Sequence, residues 1–397
     1  MTSAPMTSAA LSPPTSGLST VVFESWPRIL HSFSIVSHFH LLDLAQQPGF
    51  RPCFQPQPYL GAAWKPLEQV FSPADWATLT AIPPLPAGET ADLWIRMAFP
   101  YRFSPVASRR LVVFMACDAG QLGPQALEEG ETLAAAQDRS EAWIITPSQW
   151  SRQGLLRLGA IPERTRVVPH GVDPRWFRRD PAQRDQVRKA LGWEGRQVLL
   201  SVGAMSGNKG VHHLAKAMAA LLPRYPDLFL YLKGSDHTYK SEAALQESLD
   251  TLTAAERRAL EGRIAYNGSA LSFAQIALLH QAADLYVSPY SAEGFNMPVL
   301  EAMACGLPVV CTGGGATDDF TIPAAVKSIR ASYCETRIGN VLLIDFADLV
   351  AQMDAALGDE AWRAQASVAG AAWVAEHYTW RHATEALLAA CGLAAAG

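Results

Sequence analysis

The chain has 397 residues, of which 49% are apolar and 17% charged, and its formal net charge is −5. That length and balance suit two cored globular domains and exclude an intrinsically disordered chain. No block of like charge offers nucleic acid a footing, and no unbroken apolar run reaches the roughly 18 residues of a membrane-spanning helix. The six cysteines, Cys53, Cys117, Cys305, Cys311, Cys334 and Cys391, are scattered without a CxxC pair. They fit reduced thiols in a cytoplasmic protein better than a disulfide framework or a zinc ribbon.

Residues 1–20, MTSAPMTSAALSPPTSGLST, carry no charge and lack the basic and continuous apolar regions of a secretory signal, which predicts a disordered tail. From Thr20 onward, short β-branched runs alternate with helical patterns, predicting parallel α/β layers. TVVFESW predicts a strand and IVSHFHLLDLAQQ a helix; DLWIRMAF, RRLVVFMA, AWIITPS and RVVPHGVD are further strands between Pro-rich loops. The polar, Arg/Asp-rich stretch 173–196 predicts a hinge. Beyond it come strand QVLLSVGAM, helix GVHHLAKAMAALLPRY, strands LFLYLKG and RIAYNGS, helix FAQIALLHQAA, strand DLYVSPY, short helix PVLEAMACG and strand LPVVCT. The expected architecture is two Rossmann-like, doubly wound α/β domains facing across a cleft. Ligands in such sheets bind beyond the carboxyl ends of the strands, so the loops there should carry the chemistry.

The segment 284–315, DLYVSPYSAEGFNMPVLEAMACGLPVVCTGGG, is the most informative. Its strand delivers a loop from Ser291 to Met297, Pro298 suits the first turn of the following helix, and Gly306 and Pro308 end that helix. The free N–H groups and dipole at the helix start attract an anion such as phosphate, and Gly294 lets backbone approach it closely. Two carboxylates flank this arrangement: Glu293 in the loop and Glu301, expected on the first turn of the helix. Carboxylates accept hydrogen bonds from vicinal hydroxyls, so one suits a sugar and the other a ribose, with a diphosphate between them. Taken singly, the two residues also fit a surface loop acid and an acid that complements the helix dipole.

This segment resembles glycosyltransferase family 4, the retaining nucleotide-sugar transferases of the GT-B fold (group 1 glycosyltransferases). Their E-x7-E signature is matched by Glu293 through Glu301, followed by AMACGLPVV. ITPSQWSRQGLLRLGAIPERTRVVPHGVD, SVGAMSGNKGVHHLAKA and HYTWRHATEALL resemble further family segments, so the likeness covers about 141–390. The resemblance implies a 21–175 acceptor-binding domain, a 176–375 nucleotide-sugar-binding domain, and a helix over 376–397 that crosses back to the first. It implies that Glu293 contacts the donor sugar and Glu301 the ribose. Backbone N–H groups around Gly294, Phe295, Asn296 and Met297 would bind the diphosphate, with Gly203 in the phosphate loop and Gly268 in the loop 266–270 near the base. Lys209 would place an ammonium on the leaving group, where departing diphosphate builds negative charge. No D-x-D occurs in the chain, which agrees with the metal-independent habit of the fold.

The chain also departs from the family pattern. Ala204 stands where many members carry a phosphate-binding arginine; Lys233, in LYLKGSD, is the candidate to replace it, or is a solvated strand-end lysine. The usual glycine-rich loop after the first strand is WPRILHSFS here, leaving Ser32 and Ser34 as donors, with His31 beside them. A histidine that commonly touches the donor sugar is replaced by Ala116-Cys117-Asp118, and Asp118 is the candidate hydroxyl partner. His38 with His40, and His212 with His213, are spaced too poorly for metal pairs. Trp64, Trp76 and the apolar residues around Tyr59 fit core positions better than sugar platforms, although they lie in the region where the acceptor would be read. The function implied is transfer of a sugar from a nucleoside diphosphate sugar, UDP- or GDP-linked, to a glycan, lipid-linked or protein acceptor, with retention, no cofactor and no metal. Peripheral membrane contact stays open. The alternatives are a sugar-nucleotide epimerase or hydrolase on the same fold, and a catalytically silent binding module.

Overall fold

The computed structural model describes residues 17–393 except 61–63, 65, 68–69, 124–125, 128–130 and 338. The expected tail lies mostly outside the described residues, while Ser19 and Thr20 already belong to the first strand. The described residues form two compact units, those up to 171 together with those from 380 onward, and those of 172–379.

In the first unit, six parallel strands follow the order β2-β1-β3-β4-β5-β6: β1 Ser19–Ser25, β2 Phe50–Pro56, β3 Leu93–Met97, β4 Leu111–Phe114, β5 Trp143–Thr146 and β6 Thr165–Val167. The central strands β1, β3 and β4 are buried along their whole length around the apolar stretches Val21–Phe23, Leu93–Ile95 and Leu111–Phe114. Strand β2, FRPCFQP, was not expected. Its two prolines and polar residues argue against a strand interior, but it lies at the sheet edge, where a missing N–H leaves no ladder bond unmade. Glu24 on β1 and Arg96 on β3 form a buried ion pair at 2.9 Å, and Trp94 Nε1 donates to the same carboxylate.

The second unit repeats the plan with the order β12-β11-β10-β7-β8-β9: β7 Gln197–Val202, β8 Leu228–Lys233, β9 Ile264–Asn267, β10 Leu285–Ser288, β11 Val309–Thr312 and β12 Val326–Ile329. All these pairings are parallel. The strand order reverses between β7 and β10, so the chains leaving their carboxyl ends diverge and leave a crevice. Leu199, Leu230, Leu232, Leu285 and Val287 pack one sheet face onto Leu214, Met218, Leu349 and Met353. Each such leucine contributes about 1.5–3 kcal/mol. An antiparallel hairpin follows, β13 Ala331–Thr336 with β14 Gly339–Ile344.

The stretch expected to be a hinge is instead part of this unit. It contains the helix Pro181–Leu191, whose Arg184 and Arg188 both bond the carboxylate of Asp284 at the foot of β10. Among the described residues, no helix is long and apolar enough to cross a membrane.

Candidate functional site at the carboxyl end of the second sheet

The crevice between β7 and β10 is built by two loops stitched together. After β7, the chain turns through Gly203, a 3-10 turn Gly207–Lys209 and Gly210 into the helix Val211–Leu221. After β10, residues 289–296 lead into the helix Met297–Ala304. Asn208 joins them: its side-chain Nδ2 donates to the carbonyl of Ala292 at 2.8 Å, and its carbonyl accepts from the N–H of Ser291 at 2.8 Å. The loops approach so closely that a Cβ at Gly210, which has φ +68°, would overlap the carbonyl oxygen of Pro289. This is a position only glycine fills without strain.

Eighty-four residues apart in sequence, Lys209 and Glu293 form an ion pair here through Nζ and Oε1. The Glu293 side chain is 7% exposed and that of Lys209 25%, so the pair lies at a buried edge that solvent still reaches. Three residues on, Asn296 adopts a left-handed conformation, φ +76°, and is anchored by Nδ2 donating to Ser288 Oγ at 3.0 Å. That turn starts the helix at Met297, with Pro298 in its first turn and no side chain capping its N–H groups. A helix start without a side-chain cap, with a lysine one loop away, is an arrangement that favours an anion. Phe295 is buried against Phe320, with ring centroids 4.7 Å apart.

Glu301 is the fifth residue of this helix, so it lies on the second turn and not the first as expected. The helix starts at Met297 because Asn296, in a left-handed conformation, ends the loop. Helical side chains lean toward the N-terminus, and the carboxylate remains 14% exposed. Beneath both acids lies the fully buried Tyr286 of β10, whose hydroxyl bonds the backbone of Val202; burial and the carboxylates of Glu301 and Glu293 push its pKa well up. His280, on the helix Phe273–Ala282, brings Nε2 to 3.7 Å from Glu301 Oε2. Nothing in the sequence motif pointed to His280, because its partner is brought to it only by helix packing.

The other expected residues are placed as follows. Gly203 follows β7, and a Cβ there would touch the stem of Lys209. Gly268 follows β9 and accepts from the N–H of Asp236 at 2.9 Å; a Cβ on it would overlap the Asp236 carboxylate. Tyr266 donates to that same carboxylate at 2.8 Å. Lys233 is 3% exposed, which excludes the solvated strand-end alternative. Its ammonium donates to the carbonyl of Gly234, and burial lowers its pKa to about 8 despite the opposing pull of Asp236. Ser32 and Asp118 belong to the first unit, both exposed: Ser32 opens the helix Ser32–Leu44, and the carbonyl of Asp118 accepts from Trp150 Nε1 at 2.6 Å. His31 caps that helix, its Nδ1 accepting from the N–H of Phe33, and burial lowers its pKa to about 4. Among the described residues, no cluster of three or more His, Cys, Asp or Glu is arranged to hold a metal ion.

Two parallel six-stranded α/β sheets, with the second unit's site at its topological switch point, define the GT-B fold. Residues 196–328 match the family model described as Glycosyl transferases group 1. Along 271 residues, the chain is 30% identical to D-inositol 3-phosphate glycosyltransferase 1 of Catenulispora acidiphila, covering 68% of this chain and 60% of that one. It is 29% identical to the lipopolysaccharide core biosynthesis mannosyltransferase LpsB of Rhizobium meliloti, covering 56% and 59% of the two chains. The chain thus spans between about a third and three fifths of the length of the curated relatives it matches. Among solved structures, Anabaena HepE in complex with UDP and glucose superposes with a TM-score of 0.65 at 17% identity, covering 93% of this chain and 98% of that one.

Proposed function

We propose that this protein is a retaining glycosyltransferase that moves a sugar from a nucleoside diphosphate sugar to an acceptor. The observation that carries it is the Lys209–Glu293 pair, set beside the uncapped helix start at Met297 and one helical turn from Glu301. That set matches the needs of the donor. The diphosphate lies on the N–H groups of 294–297, the Lys209 ammonium leaves Glu293 for the phosphate oxygens, and the freed carboxylate accepts from sugar hydroxyls. Glu301 accepts from the ribose. As the glycosidic bond breaks, charge builds on the leaving diphosphate, and fixed donors facing it are worth more there than in the ground state. No protein nucleophile is required if the departing phosphate takes the proton of the acceptor on the face it leaves. The glycosyltransferase names of the curated relatives, and the UDP and glucose in HepE, support a donor of this class.

The test is release of nucleoside diphosphate from UDP-, GDP-, ADP- and dTDP-sugars by the purified protein, followed by mass spectrometry with EDTA present. One donor is expected to turn over slowly without acceptor. Glu293→Gln should cut that rate by about 100-fold while nucleotide affinity changes little, and Lys209→Ala should weaken both. Full turnover by Glu293→Gln overturns the assigned role. A second reading, a binding module without turnover, draws on Ala204 in place of a phosphate cation and on the engagement of Lys233 by Gly234. It predicts nucleotide binding with no release from any donor, with or without acceptors.

A further inference from the structure

His280 is wholly buried, and among the described residues neither of its ring nitrogens has a hydrogen-bond partner. Native interiors rarely carry an imidazole in that state, because a buried donor without an acceptor forfeits its hydration for nothing. The ring is held by apolar and aromatic neighbours: Tyr286 at 5.5 Å and Phe177 at 6.3 Å between centroids. The helix that carries it is pinned at its start by a reciprocal cap between Ser272 and Gln275. Its Nε2 faces Glu301 Oε2 at 3.7 Å, just beyond hydrogen-bond length. A shift of under about 1 Å by the flexible carboxylate closes that gap to the usual 2.7–2.9 Å of a charge-assisted bond.

We propose that His280 is a positioning residue for the nucleotide's ribose: it donates Nε2–H to the inner oxygen of Glu301 and so turns the outer oxygen toward the ribose hydroxyls. The inference rests on the reading above, in which Glu301 meets the ribose. A glutamate on a helix surface otherwise samples several rotamers, and fixing one of them on binding costs affinity. A buried donor behind the carboxylate settles this in advance, the same logic by which an outer shell orients metal ligands and catalytic groups. The imidazole must then be protonated at Nε2, and nucleotide binding must draw the two side chains together.

The test uses the full chain and compares the affinities of UDP, GDP and ADP with those of their 2′,3′-dideoxy counterparts. For whichever ribonucleotide binds, the wild-type protein is expected to prefer the ribo form by about tenfold or more. Glu301→Ala should bring that ratio close to one. His280→Phe should lower it at least threefold, and His280→Gln, which keeps a donor near Nε2, should restore most of it. If Glu301→Ala collapses the ratio and His280→Phe leaves it intact, the role of His280 is overturned while the ribose reading stands. If Glu301→Ala leaves the ratio intact, or no ribonucleotide binds, the ribose reading fails and takes this inference with it. Nitrogen-15 spectra of histidine-labelled wild-type protein give an answer even where a variant does not fold. A proton on Nε2 whose resonance shifts when the ribonucleotide binds supports the inference, and a proton on Nδ1 alone overturns it.

Discussion

At the residue scale, the site is a set of close approaches, and glycine decides whether they are made. Gly210 combines a left-handed backbone with direct abutment on the Pro289 carbonyl, and Asn208 next to it ties the two loops together. Gly210→Ala is expected to cost about 1–2 kcal/mol for the left-handed backbone alone, and more for pushing Pro289 away. The denaturant midpoint should fall, and nucleotide affinity should fall further than stability accounts for, because Lys209 is displaced from the crevice; an unchanged midpoint would contradict the contact. The loop, the helix start and the two acids of 291–301 were legible in the sequence because their chemistry is local, whereas Lys209, Gly203 and Gly268 were marked only by the resemblance to a known family. His280 was not legible, nor was the burial of Lys233. Both depend on how the surrounding strands and helices pack, and an isolated His or Lys carries no mark of that.

At the element scale, the apolar strands and the helices between them follow from periodicity, while two elements required context. Strand β2 was hidden by prolines that only an edge position permits, and helix Pro181–Leu191 was hidden because it buries no residue. That helix is held by arginines on Asp284 and not by an apolar stripe, so the hydrophobic pattern had nothing to report. The helix Ser32–Leu44 shows the reverse: it carries His38 and His40 where an apolar face is expected, and both are buried. Burial lowers the pKa of His38 to about 4 and that of His40 to about 3, and His170, in the same unit, to about 3. The unfolded chain titrates near 6.5, so between that pH and the folded values it binds more protons than the native state. Stability is therefore whole above about pH 6.5 and drains as pH falls, by about 1.4 kcal/mol per pH unit for each histidine. Urea midpoints from pH 7.5 to 4.5 should show this decline, and His40→Leu should remove about one proton of the slope. A flat profile would mean that these rings are hydrated in solution.

At the scale of the whole molecule, the last helix, Trp380–Ala390, belongs to the first unit although the second unit immediately precedes it. Trp380 stacks on Phe39 with centroids 4.8 Å apart, and His40 Nδ1 lies 2.9 Å from Thr384 Oγ1. Trp380→Ala should destabilise the first unit by about 3–5 kcal/mol. In calorimetry, the transition of that unit should fall while the one raised by bound nucleotide stays; loss of the nucleotide-dependent transition as well would show the two units to unfold as one. The sequence by itself determined the parallel α/β class and the loop and helix start that carry Glu293 and Glu301 at the second sheet's switch point, because strand and helix periods and a contiguous loop-to-helix motif are local properties of the chain. Only the tertiary structure decided the strand order that opens the crevice, the pairing of Lys209 with Glu293, the burial of His280 behind Glu301 and the placement of the polar 173–196 stretch. Each of these depends on which distant segments pack together, and burial, not residue type, then sets what a side chain can do.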